Sequence, residues 1–184
     1  MGRAGRPQQP LPPAPDVPVI LRTLITHRVS FVVIGGVAVA HHGYVRATKD
    51  VDIVPEPSDA NLRRLWAALQ ELDAAPLALQ HFRPEERPQP FALDGLLALG
   101  NWDLSTRYGR LDILQYIQGK LERADDYAAL ALRSDETRFD FGVVRFVGYD
   151  DLLDLKAIAG RDQDLVDIRA LHEARGDFGP AEGV

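Results

Sequence analysis

Apolar and polar positions fall in short blocks along the chain. Phe31-Val-Val-Ile34 is a continuous apolar, mostly β-branched run closed by Gly35-Gly36, which predicts a central strand buried on both faces. Val37 to His42 then predicts a short helix stopped by Gly43. Asp50-Val-Asp-Ile-Val54 alternates polar with apolar before Pro55 and Pro57. That is the period of a strand, so Asp50 and Asp52 share one face. Upstream, Val19, Ile20, Leu24 and Ile25 predict a helix over 19–28. Downstream, Ser58 predicts an N-cap for a helix to Asp73, with Leu62, Leu65, Trp66 and Leu69 facing inward.

Beyond residue 73 the pattern is less regular. A proline-rich stretch from Pro76 to Pro90 predicts a loop, and Phe91 to Leu99 fits a short helix or a strand. Trp102 to Thr106 and Arg110 to Leu114 flank Tyr108-Gly109 and predict a hairpin. Gly119 to Arg133 predicts a helix, Phe139 to Val147 one or two strands, and 150–159 and 162–174 two closing helices. No repeat is visible at periods of 20 to 50 residues. The order predicts a mixed α/β domain over 19–176 with a helical C-terminal end. Residues 1–18 hold six of the thirteen prolines and read as an extended tail outside the fold, and 177–184 as a flexible C-terminus.

Composition narrows the class. A chain of 184 residues with 46% hydrophobic and 26% charged positions predicts one domain with a sizeable core. Its longest near-apolar run, Phe31 to Ala40, is interrupted by two glycines and too short to span a bilayer, so no membrane partner is expected. MGRAGR leads into prolines and glutamines without an apolar stretch, unlike a secretory signal, and Arg6 stands where a myristoylation motif wants Ser or Thr. The absence of cysteine removes disulfides and thiolate sites and suggests a cytoplasmic address. A net charge of −6 argues against a surface that coats nucleic acid.

The candidate chemistry lies in the carboxylates. Asp50 and Asp52 project from one strand face a few ångströms apart, and like charges that close call for a cation between them. Magnesium takes hard oxygen ligands and keeps positions open for water and phosphate. Asp112, between Leu111 and Ile113, offers a third carboxylate if the hairpin packs beside the first strand. Two ions about 3.5–4 Å apart would then leave a site suited to polyphosphate and in-line displacement. Gly35-Gly36 lets a phosphate approach bare backbone at a helix N-terminus, and thirteen residues separate Gly36 from Asp50, room for one helix and a return strand.

With those residues in place, Phe31 to Ile53 resembles the signature of the DNA polymerase β-like nucleotidyltransferase superfamily: an apolar strand, Gly-Gly, a short spacer, then Asp-apolar-Asp. The segments Gly36-Val-Ala-Val-Ala-His-His-Gly43, Arg46-Ala-Thr-Lys-Asp50, Thr106-Arg-Tyr-Gly-Arg-Leu-Asp112 and Lys156 to Ile168 further resemble the minimal branch of AbiEii-type toxin enzymes. The resemblance implies the α/β (α+β) nucleotidyltransferase fold, a small mixed sheet flanked by helices. It implies transfer of a nucleoside monophosphate from a nucleoside triphosphate to an acceptor hydroxyl, with pyrophosphate leaving. Asp50 and Asp52 would hold two Mg²⁺ (or Mn²⁺), Asp112 would complete the metal site, and Gly35 and Gly36 would line the triphosphate. One departure stands out: that branch carries Lys-Asp-x-x-Asp near its end, and here Gln163 replaces the lysine before Asp164 and Asp167.

Arg46, Thr48 and Lys49 precede the carboxylate strand and are candidate phosphate ligands, as is Lys156; for Lys156 the alternative is surface charge. Asp164 and Asp167 share a helical face and could pair with Arg161 and Arg169 as surface charge. His41 and His42 diverge by about 100° on a helix and should not both face one ion. Trp66, Leu69 and Trp102 are expected in the core. Two functions follow: an active Mg²⁺-dependent nucleotidyltransferase acting on an RNA end, a protein or a small molecule, which on the resemblance would include a toxin role with a cognate antitoxin protein, or a module of that fold that binds nucleotide or a partner protein without turnover. A plain nucleic-acid-binding protein is a third, less compatible with the acidic chain.

Overall fold

The computed structural model describes residues 14–77, 91–122 and 124–176, with the side chains of 124 and 125 excepted. Most of the proline-rich tail, most of the 76–90 loop and the 177–184 C-terminus lie outside the described residues. The elements run α1 (Val17–Thr26), β1 (Phe31–Ile34), α2 (Gly35–His41), β2 (Asp50–Pro55), α3 (Asp59–Glu71), β3 (Ala75–Pro76), α4 (Leu93–Leu97), β4 (Trp102–Thr106), β5 (Gly109–Ile113), α5 (Ala124–Leu132), β6 (Asp135–Phe139), β7 (Gly142–Phe146), α6 (Tyr149–Ala159) and α7 (Asp162–Arg175).

Among the described residues, seven strands form one mixed sheet in the order β3-β4-β5-β2-β1-β7-β6. β1 pairs antiparallel with β2 and parallel with β7, and β2 pairs parallel with β5. The apolar run of β1 serves both faces. Phe31 and Val33 join a core with α1, α3 and α4, while Val32 and Ile34 join another with α2, α5, α6 and α7. On β2 the same alternation sends Val51 and Ile53 to the first core and Val54 to the second. Asp50 and Asp52 therefore lie on the second face, toward α2, α6 and α7.

Asn61, on the first turns of α3, locks the ends of β1 and β2 together. It is fully buried, accepts from Ser30 N–H at 2.8 Å and donates to Ser30 O at 2.9 Å and Glu56 O at 2.8 Å. α3 opens on Ser58, whose hydroxyl accepts from Asn61 N–H, as the sequence predicts. Trp66 and Trp102 flank Phe91 at 5.0 and 4.9 Å between centroids and pack against the first core.

Several boundaries differ from expectation, each for a local reason. α1 starts at Val17, two residues early, because Asp16 caps Val19 N–H at 3.2 Å and Pro18 fits the first turn. Asp16 N–H also donates to Tyr108 O at 2.8 Å, tying this entry to the hairpin turn. α2 begins at the glycines themselves. The helix expected over 119–133 shrinks to α5: Gly119 sits at φ +76° and donates to the Glu122 carboxylate at 2.8 Å, closing a turn instead. β6 begins at Asp135, because an exposed edge strand of charged residues carries no apolar alternation to read. Phe91 to Leu99 resolves as the short helix α4.

Asn61→Ala strands buried backbone groups at Ser30 and Glu56, so urea unfolding should show a loss of roughly 2–4 kcal/mol with an unchanged m-value.

Candidate active site

The parallel pairing of β2 with β5 sets Asp52 opposite Asp112 and Asp50 opposite Arg110. The hairpin packs beside the first carboxylate strand, and Asp50, Asp52 and Asp112 bring ligand oxygens within 4.8 Å of one another. A cavity of about 310 Å³ opens on them, lined also by Gly35, Gly36, Arg46, Thr48, Lys49 and Lys156. A second, more apolar cavity of about 370 Å³ shares Asp52 and Asp112 and is walled by Leu114, Ile117, Leu152 and Ile158.

Gly35 has φ +63°, and a methyl group there would overlap the Asp52 carboxylate. At Gly36 it would overlap the Thr48 hydroxyl. Both glycines are thus required by close approach, and Gly36 N–H donates to Asp52. Thr48 donates its hydroxyl hydrogen to Asp50 O at 3.1 Å, fixing the entry to β2.

Burial pushes the Asp52 carboxyl up to about 6, with Asp50 adding repulsion and Lys156, Gly36 and Arg161 opposing it. Burial likewise pushes Asp112 up to about 7, with Asp52, Asp103 and Asp50 raising it further and Arg110 opposing. Asp112 Oδ1 is buried without a hydrogen-bond partner. Such a group asks for a cation or a proton.

Two residues near the carboxylates escaped the sequence reading. Arg110 Nη2 stands 3.4 Å from Asp112 Oδ2 and 3.9 Å from Asp50 Oδ2. Its signal was the Arg110-Leu-Asp112 alternation, which mirrors Asp50-Val-Asp52 across the sheet. Asp103 lies opposite Asp112 on β4 and lines the apolar cavity; nothing in its sequence surroundings marks it.

Facing the carboxylates is a charge network at odds with the surface-charge expectation. Asp164 and Asp167 side chains are 0% exposed and Lys156 only 5%. Lys156 Nζ bridges the two at 2.8 Å each. Asp167 also accepts from Arg46 Nε and Nη2, both at 2.7 Å, and from Gln163 Nε2 at 3.0 Å. Asp164 accepts from Arg161 Nε at 2.7 Å and backbone N–H at 3.2 Å. The partner of Asp167 is therefore Arg46, from the loop before β2, and Arg169 is exposed. Burial opposes ionisation of Asp167, yet the bonds from Arg46, Lys156 and Gln163 outweigh it and hold the carboxyl down at about 2. Arg46 spends most of its donors here and on Ala47 O, leaving one N–H on each terminal nitrogen.

His41 and His42 contradict the expected divergence. At the C-terminal end of α2 the backbone leaves the helix at His42, and both rings approach Asp135, at 3.6 and 3.9 Å.

The chain superposes on the lincosamide antibiotic adenylyltransferase LnuA, lincomycin-bound, with a TM-score of 0.54 and 17% identity, over 85% of this chain and 94% of that one. The fold is the nucleotidyltransferase fold. Weaker likenesses are to the antibiotic-resistance factor ANT(2'')-Ia (TM-score 0.49, 12% identity, 86% of this chain and 84% of that one) and an antigenic nucleotidyltransferase-like protein from Paracoccidioides brasiliensis (0.48, 16%, 93% and 81%). No protein-family model matches the chain, and no curated protein sequence does. Among the described residues no helix is long and apolar enough to cross a membrane. Within this nucleotidyltransferase fold the three carboxylates sit on the central strands, and the cations facing them come from α6 (Lys156), the α6–α7 junction (Arg161) and the loop before β2 (Arg46, Lys49).

Lys156→Met leaves two buried carboxylates without their shared cation, and chemical denaturation should register a loss of roughly 3–5 kcal/mol. Arg161→Ala, whose side chain is 73% exposed, should cost less than about 1 kcal/mol. In metal-free protein the raised Asp52 and Asp112 make the folded state bind more protons than the unfolded chain above pH ~4. Stability should therefore fall as pH rises from ~4 through about 6 and about 7. Asp112→Asn should flatten that fall and raise the melting temperature by a few degrees at neutral pH, measured by thermal scans in chelator.

Proposed function

We propose that this chain is a Mg²⁺-dependent nucleotidyltransferase, with Mn²⁺ able to substitute. It would transfer a nucleoside monophosphate from a nucleoside triphosphate to an acceptor hydroxyl in the cytoplasm. The observation that carries the reading is the convergence of Asp50, Asp52 and Asp112 within 4.8 Å in a cavity that also holds Gly35, Gly36 and buried Lys156. The donor set fits the metal: three carboxylates are hard oxygen ligands, and the orphaned Asp112 Oδ1 is the atom a divalent ion would satisfy. Asp50 and Asp52 would hold two ions, and Asp112 would complete one site. Bound there, the metal would supply charge for the triphosphate and ease ionisation of the acceptor hydroxyl.

The chain's own groups divide the remaining work. Bare backbone at Gly35 and Gly36 gives the triphosphate room beside Asp52. Lys156, Arg161 and the exposed Lys49 supply positive charge along the same cavity, with Arg46 contributing its remaining N–H groups. Asp112 borders both cavities, so an acceptor seated against Leu114, Ile117 and Ile158 would bring its hydroxyl beside the carboxylates and the metal they would hold. Lys156 places a buried cation where Gln163 brings only an amide, which favours an active enzyme over a nucleotide-holding module. The acceptor would be an RNA end, a protein hydroxyl or a small molecule. A toxin role, countered by an antitoxin protein, would appear as growth arrest on expression that needs Asp50 and Asp52.

Whole-cell lysate incubated with the protein, Mg²⁺ and each α-labelled triphosphate should yield a labelled acceptor, sorted by nuclease, protease and size. Asp50→Asn/Asp52→Asn should reduce labelling at least about a hundredfold, the equivalent of removing several kcal/mol of metal stabilisation. Triphosphate binding without labelling under any of these conditions would leave the binding-module reading standing.

A further inference from the structure

At the opposite end of α2 from the glycines, three donors converge on one point. We propose that His41, His42 and Asp135 form a second metal site, selective for a borderline divalent transition ion of the zinc class. His41 Nε2 lies 3.6 Å and His42 Nδ1 3.9 Å from Asp135 Oδ2, and the three donor atoms are all within 4.8 Å of one another. Tetrahedral zinc, with bonds of about 2.0–2.2 Å, spaces its ligand atoms roughly 3.3–3.6 Å apart. Small side-chain rotations close the difference.

Both imidazoles are already oriented. His42 Nε2 is 2.7 Å from Val147 O, and a carbonyl only accepts, so Nε2 carries the proton and Nδ1 is left to face Asp135. A ring nitrogen bonded to a backbone carbonyl, with the other nitrogen free for metal, is the usual support of a ligating histidine. A neutral Nδ1 lone pair against a carboxylate is repulsive unless a cation or a proton lies between them. His41 is held flat on Phe146, with ring centroids 4.3 Å apart and planes 4° from parallel. The β6–β7 register places Asp135 directly opposite that same Phe146. Sheet pairing, stacking and a backbone hydrogen bond thus aim three ligands independently.

Access is open. The Asp135 side chain is 55% exposed, and with His42 it borders a cavity of about 410 Å³, also lined by Arg133, Tyr149, Asp151 and Arg175. The cavity leaves room for water or a small anion as fourth ligand. Two nitrogens and one oxygen suit zinc, nickel or copper over magnesium, so this site and the all-carboxylate cavity separate by metal preference. Occupied, it would clamp α2 to the β6 edge.

The test is titration with Co²⁺, a visible stand-in for Zn²⁺, of the full chain and of Asp50→Asn/Asp52→Asn, which disarms the carboxylate cavity. The expected result in both is one equivalent of Co²⁺ with the intense visible absorption of four-coordinate cobalt, displaced by Zn²⁺ and indifferent to Mg²⁺. In the double-variant background, His41→Ala and the fold-sparing surface change Asp135→Asn should each weaken binding at least about tenfold. Absence of that absorption, or retention of binding in Asp135→Asn, would overturn the proposal. So would histidine NMR showing His42 doubly protonated at neutral pH in the presence of Zn²⁺, the signature of a simple imidazolium–Asp135 pair.

Discussion

The register in which β5 lies against β2 governs the rest of the candidate site. Because Asp52 faces Asp112 and Asp50 faces Arg110, three carboxylates and one guanidinium share a patch of sheet a few ångströms across. A slip of one residue would turn Asp112 into the first core and bring Leu111 to the cavity. The register is secured from beneath, where Val51, Ile53, Leu111 and Ile113 are fully buried in that core. Apolar packing on one face thus fixes polar chemistry on the other.

The two faces of the cavity carry opposite electrostatic problems. On the sheet the carboxylates repel, and burial makes ionisation costly. On the opposite wall Lys156, Arg46 and Arg161 outnumber Asp164 and Asp167, whose oxygens are all engaged. A polyanion carrying its own divalent ions would relieve both sides together: metal for the carboxylates, phosphate for the excess cations. Such a ligand would be favoured over a bare metal or a bare anion, because each half of it compensates a separate imbalance.

Much of this was legible in the chain and some was not. The strand–Gly-Gly–helix–strand order and the shared face of Asp50 and Asp52 follow from local pattern, because one strand is apolar throughout and the other alternates. The pairing of β5 beside β2 is a long-range choice that Arg110-Leu111-Asp112 permits without dictating. Helical charges usually stay in solvent, so the sequence points Asp164 and Asp167 outward and leaves Lys156 open between a phosphate ligand and surface charge. In the fold they are buried against one another, with Arg46 returning from a loop far upstream to pair with Asp167. His41 and His42 were judged by ideal helical geometry, which ends one residue too soon to apply. Asp135 was missed as part of a strand because a charged edge resembles a loop.

The Arg46–Asp167 pair spans 121 residues of sequence, which gives the cavity a temporal order. A nascent chain emerging from the ribosome has Gly35, Asp50 and Asp52 available early, and Asp112 once the hairpin is out. Arg46 then waits without its carboxylate until α7 follows. A chain ending before α7 would lack Asp164 and Asp167, leaving Arg46 and Lys156 without the carboxylates that hold them in the complete fold. The basic wall of the candidate site therefore depends on the final described helix, although the carboxylates it faces lie far earlier in the chain.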